Sequence, residues 1–332
     1  MGEKCVLILE PEYYSEADLE RLKNAGYQPV LSKGTDQKEL LVEVERLQSD
    51  NIAVIAIFAR LGLSFNRQLF ESCGGELRWL ITPTTGLNHI DLEELERFKV
   101  NLISLKGETA FLQNITPTAE LVFALLMALL RQVPQAYNDV LVGNWQRRSH
   151  LGRELKDLNL GIIGLGRLGT MTAGYAQAFG MKVMAYDIKD DPFLREANHH
   201  VQRKASLKEL VAEADVVSIH LPWDEITEEM FDKALFKQFK RGAYLINTAR
   251  GELIDEEALL KALNEGILAG CGVDVLNGDS CWEEVPQGHP LVEYARKHDN
   301  LIITPHIGGY TINAILKTRA FLIEKFLKAQ QS

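Results

Sequence analysis

The segment from Asn159 to Gly169 constrains the fold more than any other. An apolar run ending at Ile163 meets Gly164, Gly166 and Gly169 at GxGxxG spacing, and helix-forming sequence follows. The first glycine suits a tight turn, the second lets a pyrophosphate approach the backbone, and the third lets the helix sit close to the strand. The helix N-terminus, which begins at Arg167 and Leu168, offers unpaired N–H groups to phosphates. The bare pattern also describes an ordinary glycine-rich turn. Its context argues for a dinucleotide: a strand precedes it, a helix follows, and Asp187 ends the next strand, 18 residues past Gly169. About 20 residues is the usual spacing to the ribose-binding acid. A carboxylate there accepts the ribose hydroxyls and repels a 2′-phosphate, which favours NAD over NADP; Lys189, two residues on, argues the other way.

The rest of the chain repeats the same alternation. Short β-branched runs at 6–9, 52–58, 77–82 and 100–105 form a first block, with a capped helix beginning after Ser15 and an acidic helix over 91–98. A long helix is expected over 117–142. Strands at 158–163, 182–186, 216–220, 243–247, 268–273 and 301–304 follow, separated by helical patterns, and a helix over 311–329 closes the chain. Alternating βα units predict parallel, doubly wound sheets.

Composition narrows the function. Of 332 residues, 46% are hydrophobic and 25% charged, and the net charge is −10. Disordered, collagenous and disulfide-stapled chains are excluded, and bulk charge gives no reason to bind nucleic acid or an anionic membrane. Cys5, Cys73, Cys271 and Cys281 form no CxxC pair, so neither a metal nor disulfides are expected. Reduced thiols without a signal peptide fit a cytoplasmic protein. The longest apolar run, over 121–130, is shorter than a membrane span and reads as a buried helix.

In an open α/β sheet the ligand lies outside the carboxyl ends of the strands. There stand Asp187, then His220 and Pro222, then Asn247, Thr248 and Arg250, then Asp274, then Thr304 and His306. Arg250 fits a structural ion pair, and His306 fits a satisfied core histidine. Taken together, an arginine, a histidine and an acid near a nicotinamide have a specific use. The arginine holds a carboxylate with two parallel hydrogen bonds, the histidine exchanges a proton, and the acid orients the imidazole and favours its protonated form. That set suits hydride transfer at a hydroxyl-bearing carbon next to a carboxylate.

These residues, with the 85–92 loop, Thr118 to Glu120, Gly143 to Trp145, Gly152 to Leu155, Asn247 to Asp255 and Thr304 to Gly309, resemble the D-isomer-specific 2-hydroxyacid dehydrogenases over nearly the whole chain. The resemblance implies two Rossmann/flavodoxin-like doubly wound parallel-sheet domains with the active site in the cleft between them. Residues 1–105, completed by the helix over 308–332, would bind substrate, and residues 106–307 would bind NAD. It implies a homodimer built on the nucleotide domains and a 2-oxo or 2-hydroxy acid as substrate. Arg250 would bind the carboxylate and His306 would be the general acid/base. Thr85 and Gly86 would offer N–H groups to the carboxylate. Asp274 would bond the nicotinamide carboxamide, and His220, Pro222, Thr227 and Thr248 would line the cofactor.

Two departures matter. The family usually places a glutamate where Asp279 stands, one methylene shorter, and the loop is long enough that Glu283 or Glu284 could partner His306 instead. Phosphoglycerate dehydrogenases resemble the chain throughout, Asn88 included, but tend to carry arginines where Phe58 and Thr82 stand; Arg60 matches another arginine seen in some of them. A phosphorylated substrate therefore stays open. Only 26 residues follow His306, so a C-terminal serine-sensing module is not expected. The readings set against the dehydrogenase are a non-catalytic NAD-sensing corepressor and a formate or phosphite dehydrogenase; the latter's amide is not matched by the acidic loop.

Overall fold

The computed structural model describes residues 3–282 and 284–330. The chain divides into two compact units. Met1–Ile115, Ser280–Val285 and Thr311–Ser332 make the first; Thr116–Asp279 and Pro286–Tyr310 make the second.

The first unit is built on five parallel strands, β1 (Glu3–Ile8), β2 (Gln28–Leu31), β3 (Ile52–Phe58), β4 (Trp79–Ile81) and β5 (Asn101–Ile103), in the order β2-β1-β3-β4-β5. This is the flavodoxin-like order, with its topological switch between β1 and β3. β3 is nearly continuous in apolar residues because both its faces are covered. Leu40, Val44 and Leu47 cover one face, and Leu322, Ile323 and Phe326 of helix Ile312–Ala329 the other. Helix Glu16–Asn24 starts with the expected capping box, in which Ser15 and Asp18 exchange bonds. The sequence reading omitted β2. Its Pro29 cannot donate to a ladder, and the strand survives because it lies at the sheet edge.

Two expected boundaries move. The first unit extends ten residues past 105, because Phe111 stacks on Phe321 with 3.9 Å between centroids and Ile115 packs against the same core. The closing helix, Ile312–Ala329, starts behind the Thr311 hydroxyl cap as its pattern over 311–329 predicts, and the unit resumes at Thr311 rather than 308. Residues Ser280–Val285 also join this unit, where the Gly62 N–H donates to the Ser280 carbonyl at 3.2 Å.

The second unit carries seven parallel strands: β6 (Asn159–Ile163), β7 (Lys182–Tyr186), β8 (Gln202–Arg203), β9 (Val216–Ile219), β10 (Ala243–Asn247), β11 (Leu268–Val273) and β12 (Leu301–Ile303). Their order is β12-β11-β10-β9-β6-β7-β8, the doubly wound dinucleotide-binding order with one strand added. The order reverses between β6 and β9. Ile163 pairs with Ile219 there, so Gly164 and His220 leave the sheet side by side. β8 has only two residues and left no periodic signal.

The helix expected over 117–142 is two helices, Pro117–Leu130 and Val133–Leu141. Gln132 turns left-handed (φ 50°), and Pro134 in the next turn has no N–H to continue the ladder. By length and composition, Thr109–Leu130 is apolar enough to cross a membrane, which the count of consecutive apolar residues had missed. The stretch is not one element, however. Helix Thr109–Leu112 belongs to the first unit, whereas Val122, Leu125 and Leu126 are buried in the core of the second.

Candidate functional site

At the turn after β6, Gly164 has φ +90°, and a Cβ on it would lie 2.7 Å from the His220 carbonyl oxygen. A Cβ on Gly169 would lie 2.1 Å from the Gly164 carbonyl oxygen. Packing therefore requires both glycines. Gly166 differs: nothing lies within 4 Å of its would-be Cβ, which leaves open space over the start of helix Arg167–Ala178. Its N-cap residue, Gly166, supplies no side-chain cap, so the positive end of the helix dipole faces the open space. Arg167 and Leu168 form the first turn and are half-buried. The Asp187 carboxylate braces the loop, accepting from the Leu165 N–H at 2.8 Å and the Lys189 N–H at 2.9 Å.

The neighbouring loop is stapled by Thr227, whose hydroxyl donates to the Pro222 carbonyl (2.9 Å) and accepts from the Asp224 N–H (2.9 Å). His220 Nε2 lies 2.9 Å from Ser218 Oγ, and burial pushes its pKa down to about 4, so the ring is neutral at pH 7. The buried Thr248 hydroxyl has no partner among the described residues. An unsatisfied buried hydroxyl calls for an explanation, and a bound ligand supplies one. The open glycine turn, the uncapped helix and the Asp187 carboxylate fit NAD.

The second cluster begins at the end of β10. Asn247 donates from Nδ2 to the Arg250 carbonyl (2.7 Å) and accepts the Ala249 N–H (3.0 Å), closing the turn that presents Arg250. Gly251 must follow, since a Cβ there would lie 2.0 Å from the Leu276 carbonyl carbon. That backbone belongs to the loop leading to Asp279. Burial lowers the Arg250 pKa, and the Glu252 and Asp279 carboxylates oppose the shift by favouring the charged guanidinium. The side chain also donates to the Ala249 carbonyl at 2.5 Å.

His306 Nδ1 lies 3.0 Å from Asp279 Oδ2, with 26% and 11% of the two side chains exposed. The same oxygen accepts the Leu276 N–H at 3.2 Å. Asp279 opens a short 3₁₀ turn that carries its shorter side chain up to the ring. Glu284 is exposed, and Glu283 lies outside the described residues. An ionised carboxylate only accepts, so the proton of a neutral His306 sits on Nδ1 and Nε2 is left to exchange protons.

His306 has φ 53°, a left-handed conformation costing an L-residue roughly 1–2 kcal/mol. Asp274, 1% exposed, holds it there. Its Oδ1 accepts from Thr304 Oγ1 (2.6 Å) and the Ile307 N–H (2.8 Å), its Oδ2 accepts from the Gly308 N–H (2.7 Å), and its carbonyl accepts the His306 N–H (2.8 Å). Burial raises the Asp274 pKa, opposed by these bonds. Its three donors make the Asp274 carboxylate shape the turn under His306, and an ionised carboxylate keeps acceptor capacity for the carboxamide expected there. Sequence alone assigns Thr304 and Asn247 no role; their bonds to Asp274 and to the Arg250 turn supply one.

In the first unit, Thr85, Gly86 and Asn88 lie on the loop after β4. The N–H groups of Thr85 and Gly86 find no acceptor among the described residues. Arg60 stands at the end of β3, beside the switch point, and its guanidinium donates to the Thr35 carbonyl and to the Leu61 carbonyl (3.1 Å).

Residues 123–308 match the family described as D-isomer specific 2-hydroxyacid dehydrogenase, NAD binding domain. The chain belongs to this family. Its NAD-binding domain holds both clusters of the second unit. Among curated D-isomer-specific 2-hydroxyacid dehydrogenase relatives, D-3-phosphoglycerate dehydrogenase of Bacillus subtilis is 32% identical over 93% of this chain and 55% of its own length. The chain thus spans about half the length of the phosphoglycerate dehydrogenases it matches. Hydroxypyruvate reductase of Thermotoga maritima is 30% identical over 88% of this chain and 92% of its own. Among solved structures, D-lactate dehydrogenase from Aquifex aeolicus, complexed with NAD and lactic acid, matches with a TM-score of 0.74 and 27% identity, covering 98% of this chain and 94% of that one.

Proposed function

We propose that the chain is an NAD-dependent dehydrogenase that interconverts a D-2-hydroxy acid and its 2-oxo acid. The observation carrying this reading is the His306–Asp279 contact at 3.0 Å in one cluster with Arg250. Bound NAD(H) supplies or accepts the hydride. Arg250 grips the substrate carboxylate and polarises the adjacent carbonyl. In the reductive direction His306 Nε2 gives its proton to the carbonyl oxygen, and in the oxidative direction it takes the hydroxyl proton. Asp279 keeps Nδ1 protonated and the ring fixed. Thr85, Gly86, Asn88 and Arg60 are the proposed substrate-binding residues of the first unit.

An unphosphorylated acid is the favoured substrate. Phe58 and Thr82, where phosphoglycerate dehydrogenases tend to carry arginines, are buried in the core and bring no cation. Oxidation of NADH against a panel of 2-oxo acids tests this: pyruvate, glyoxylate, hydroxypyruvate and 3-phosphohydroxypyruvate. Turnover of none of them refutes the dehydrogenase, and preference for the phosphorylated acid overturns the substrate assignment.

A homodimer through the second unit is proposed as well. Helix Val133–Leu141 and the loop after it expose Val133, Tyr137, Leu141, Trp145 and Leu151, and large apolar side chains gathered along one stretch suit a protein interface. Light scattering on the eluted protein should give a mass near twice 37.3 kDa; a monomer mass refutes the dimer.

A further inference from the structure

The loop after β4 rests on side chains that none of the assigned roles uses. His89 is 3% exposed and Thr82 is 0%. His89 Nε2 lies 3.1 Å from Thr82 Oγ1, which lies 2.9 Å from Thr84 Oγ1, which lies 2.7 Å from the Gly86 carbonyl oxygen. Each hydroxyl has a single proton to give. The Gly86 carbonyl can only accept, so the Thr84 proton goes there. Thr84 then accepts from Thr82. Thr82, its proton spent, accepts from His89, which must carry a proton on Nε2. Every link therefore has one direction, from a buried imidazole to a loop carbonyl.

His89 is itself anchored. Its carbonyl accepts the Phe65 N–H at 2.9 Å, and its ring meets the Phe65 ring edge-on at 5.9 Å. At the other end, the Gly86 carbonyl and the Leu87 N–H belong to one planar trans peptide and point in opposite directions. Fixing the carbonyl fixes that N–H. The N–H groups of Thr85, Gly86 and Leu87 find no acceptor among the described residues.

We propose that His89, Thr82 and Thr84 are positioning residues that hold the 84–87 backbone in the conformation whose free N–H groups receive the substrate carboxylate. This rests on the dehydrogenase reading, in which Thr85 and Gly86 bind that carboxylate. The chain costs no extra charge at the loop and leaves the anion to the backbone, so it serves any small 2-oxo acid.

The test compares Thr84→Val, which keeps the shape and removes the hydroxyl, with Thr84→Ser, which keeps it. Thr84→Val should raise KM for the best 2-oxo acid and Ki for oxamate at least tenfold, with KM for NADH unchanged within twofold. Thr84→Ser should stay within threefold of the parent on all of them. Amide hydrogen exchange at 85–87 should be at least tenfold faster in Thr84→Val than in Thr84→Ser. Thr84→Ala removes the same hydroxyl from a half-buried site and gives the same comparison where the valine folds poorly. Parent-like KM and exchange in the hydroxyl-free variants, or an equal rise in KM for acid and for NADH, overturns the proposal. If the parent reduces no 2-oxo acid, the dehydrogenase reading fails, and the exchange comparison still decides whether the chain positions the loop.

Discussion

Replacing Asp279 by Asn tests the pairing on which the chemistry rests. The carboxylate uses one oxygen for both His306 Nδ1 (3.0 Å) and the Leu276 N–H (3.2 Å). An amide oxygen can occupy the same place, so the fold and the loop should survive and only the charge is lost. Two unit charges about 4 Å apart near a protein surface attract by ~4 kcal/mol, and a hydrogen bond to a charged group contributes about 1.5–3 kcal/mol. Because the amide keeps a neutral bond, the expected loss in stabilising the protonated ring is about 2–4 kcal/mol. For oxidation of the hydroxy acid, where His306 gains a proton, that is roughly 30- to 1000-fold in kcat/KM. Asp279→Glu keeps the charge but must fold back an extra methylene, so it should fall between the parent and Asp279→Asn. Steady-state kinetics in both directions, with NADH affinity from fluorescence as a control, reads the effect. An Asp279→Asn enzyme within threefold of the parent in the oxidative direction refutes the assignment.

Other outcomes follow from neighbouring contacts. Arg250→Lys keeps charge but loses the planar fork, and kcat/KM should drop by about 2–4 kcal/mol with NADH binding unchanged; near-normal turnover places Arg250 outside the chemistry. Asp187→Ala should narrow the preference for NADH over NADPH by about tenfold or more while weakening NADH, since the carboxylate also braces the Leu165 N–H; a parent enzyme using both cofactors equally removes the ribose role. The half-buried His220 has its pKa lowered to about 4 by desolvation, so its contribution to stability is present above the unfolded value near 6.5 and is lost as pH falls towards 4. Urea unfolding should show the parent losing roughly 3 kcal/mol more than His220→Gln between pH 7 and pH 4; parallel curves contradict it.

The parallel α/β architecture was legible because both faces of its central strands are covered, which leaves apolar runs such as 52–58 and 243–246 unbroken. Strands β2 and β8 were not legible, since one carries Pro29 at an edge and the other has two residues. The helix break at Gln132 was overlooked although Pro134 marks it. The boundary at 115 was beyond local reasoning, because it is decided by Phe111 meeting Phe321 across more than two hundred residues. In the site, Gly251 is a packing requirement visible only once Leu276 lies on it. Asp279 itself came from family spacing, and geometry then separated it from the exposed Glu284. The Thr82, Thr84 and His89 chain escaped notice because threonines after a strand are ordinary; only burial makes them a directed set.

The core of the first unit draws its last pieces from the far end of the chain. Phe326 meets Phe58, Trp79 and Tyr27 at 5.3–6.1 Å between ring centroids. About 200 residues separate Ile115 from the helix that carries Phe326. At translation speeds of about 5–20 residues per second, the nascent first unit waits roughly 10–40 s for that helix. Throughout that interval the surface around Phe58, Ile81 and Ile103 lacks the part of its cover that Leu322, Ile323 and Phe326 supply, while nearly all of the second unit emerges and can close. Lesions in the last helix should therefore reduce the yield of folded protein on the ribosome more than they slow the finished enzyme.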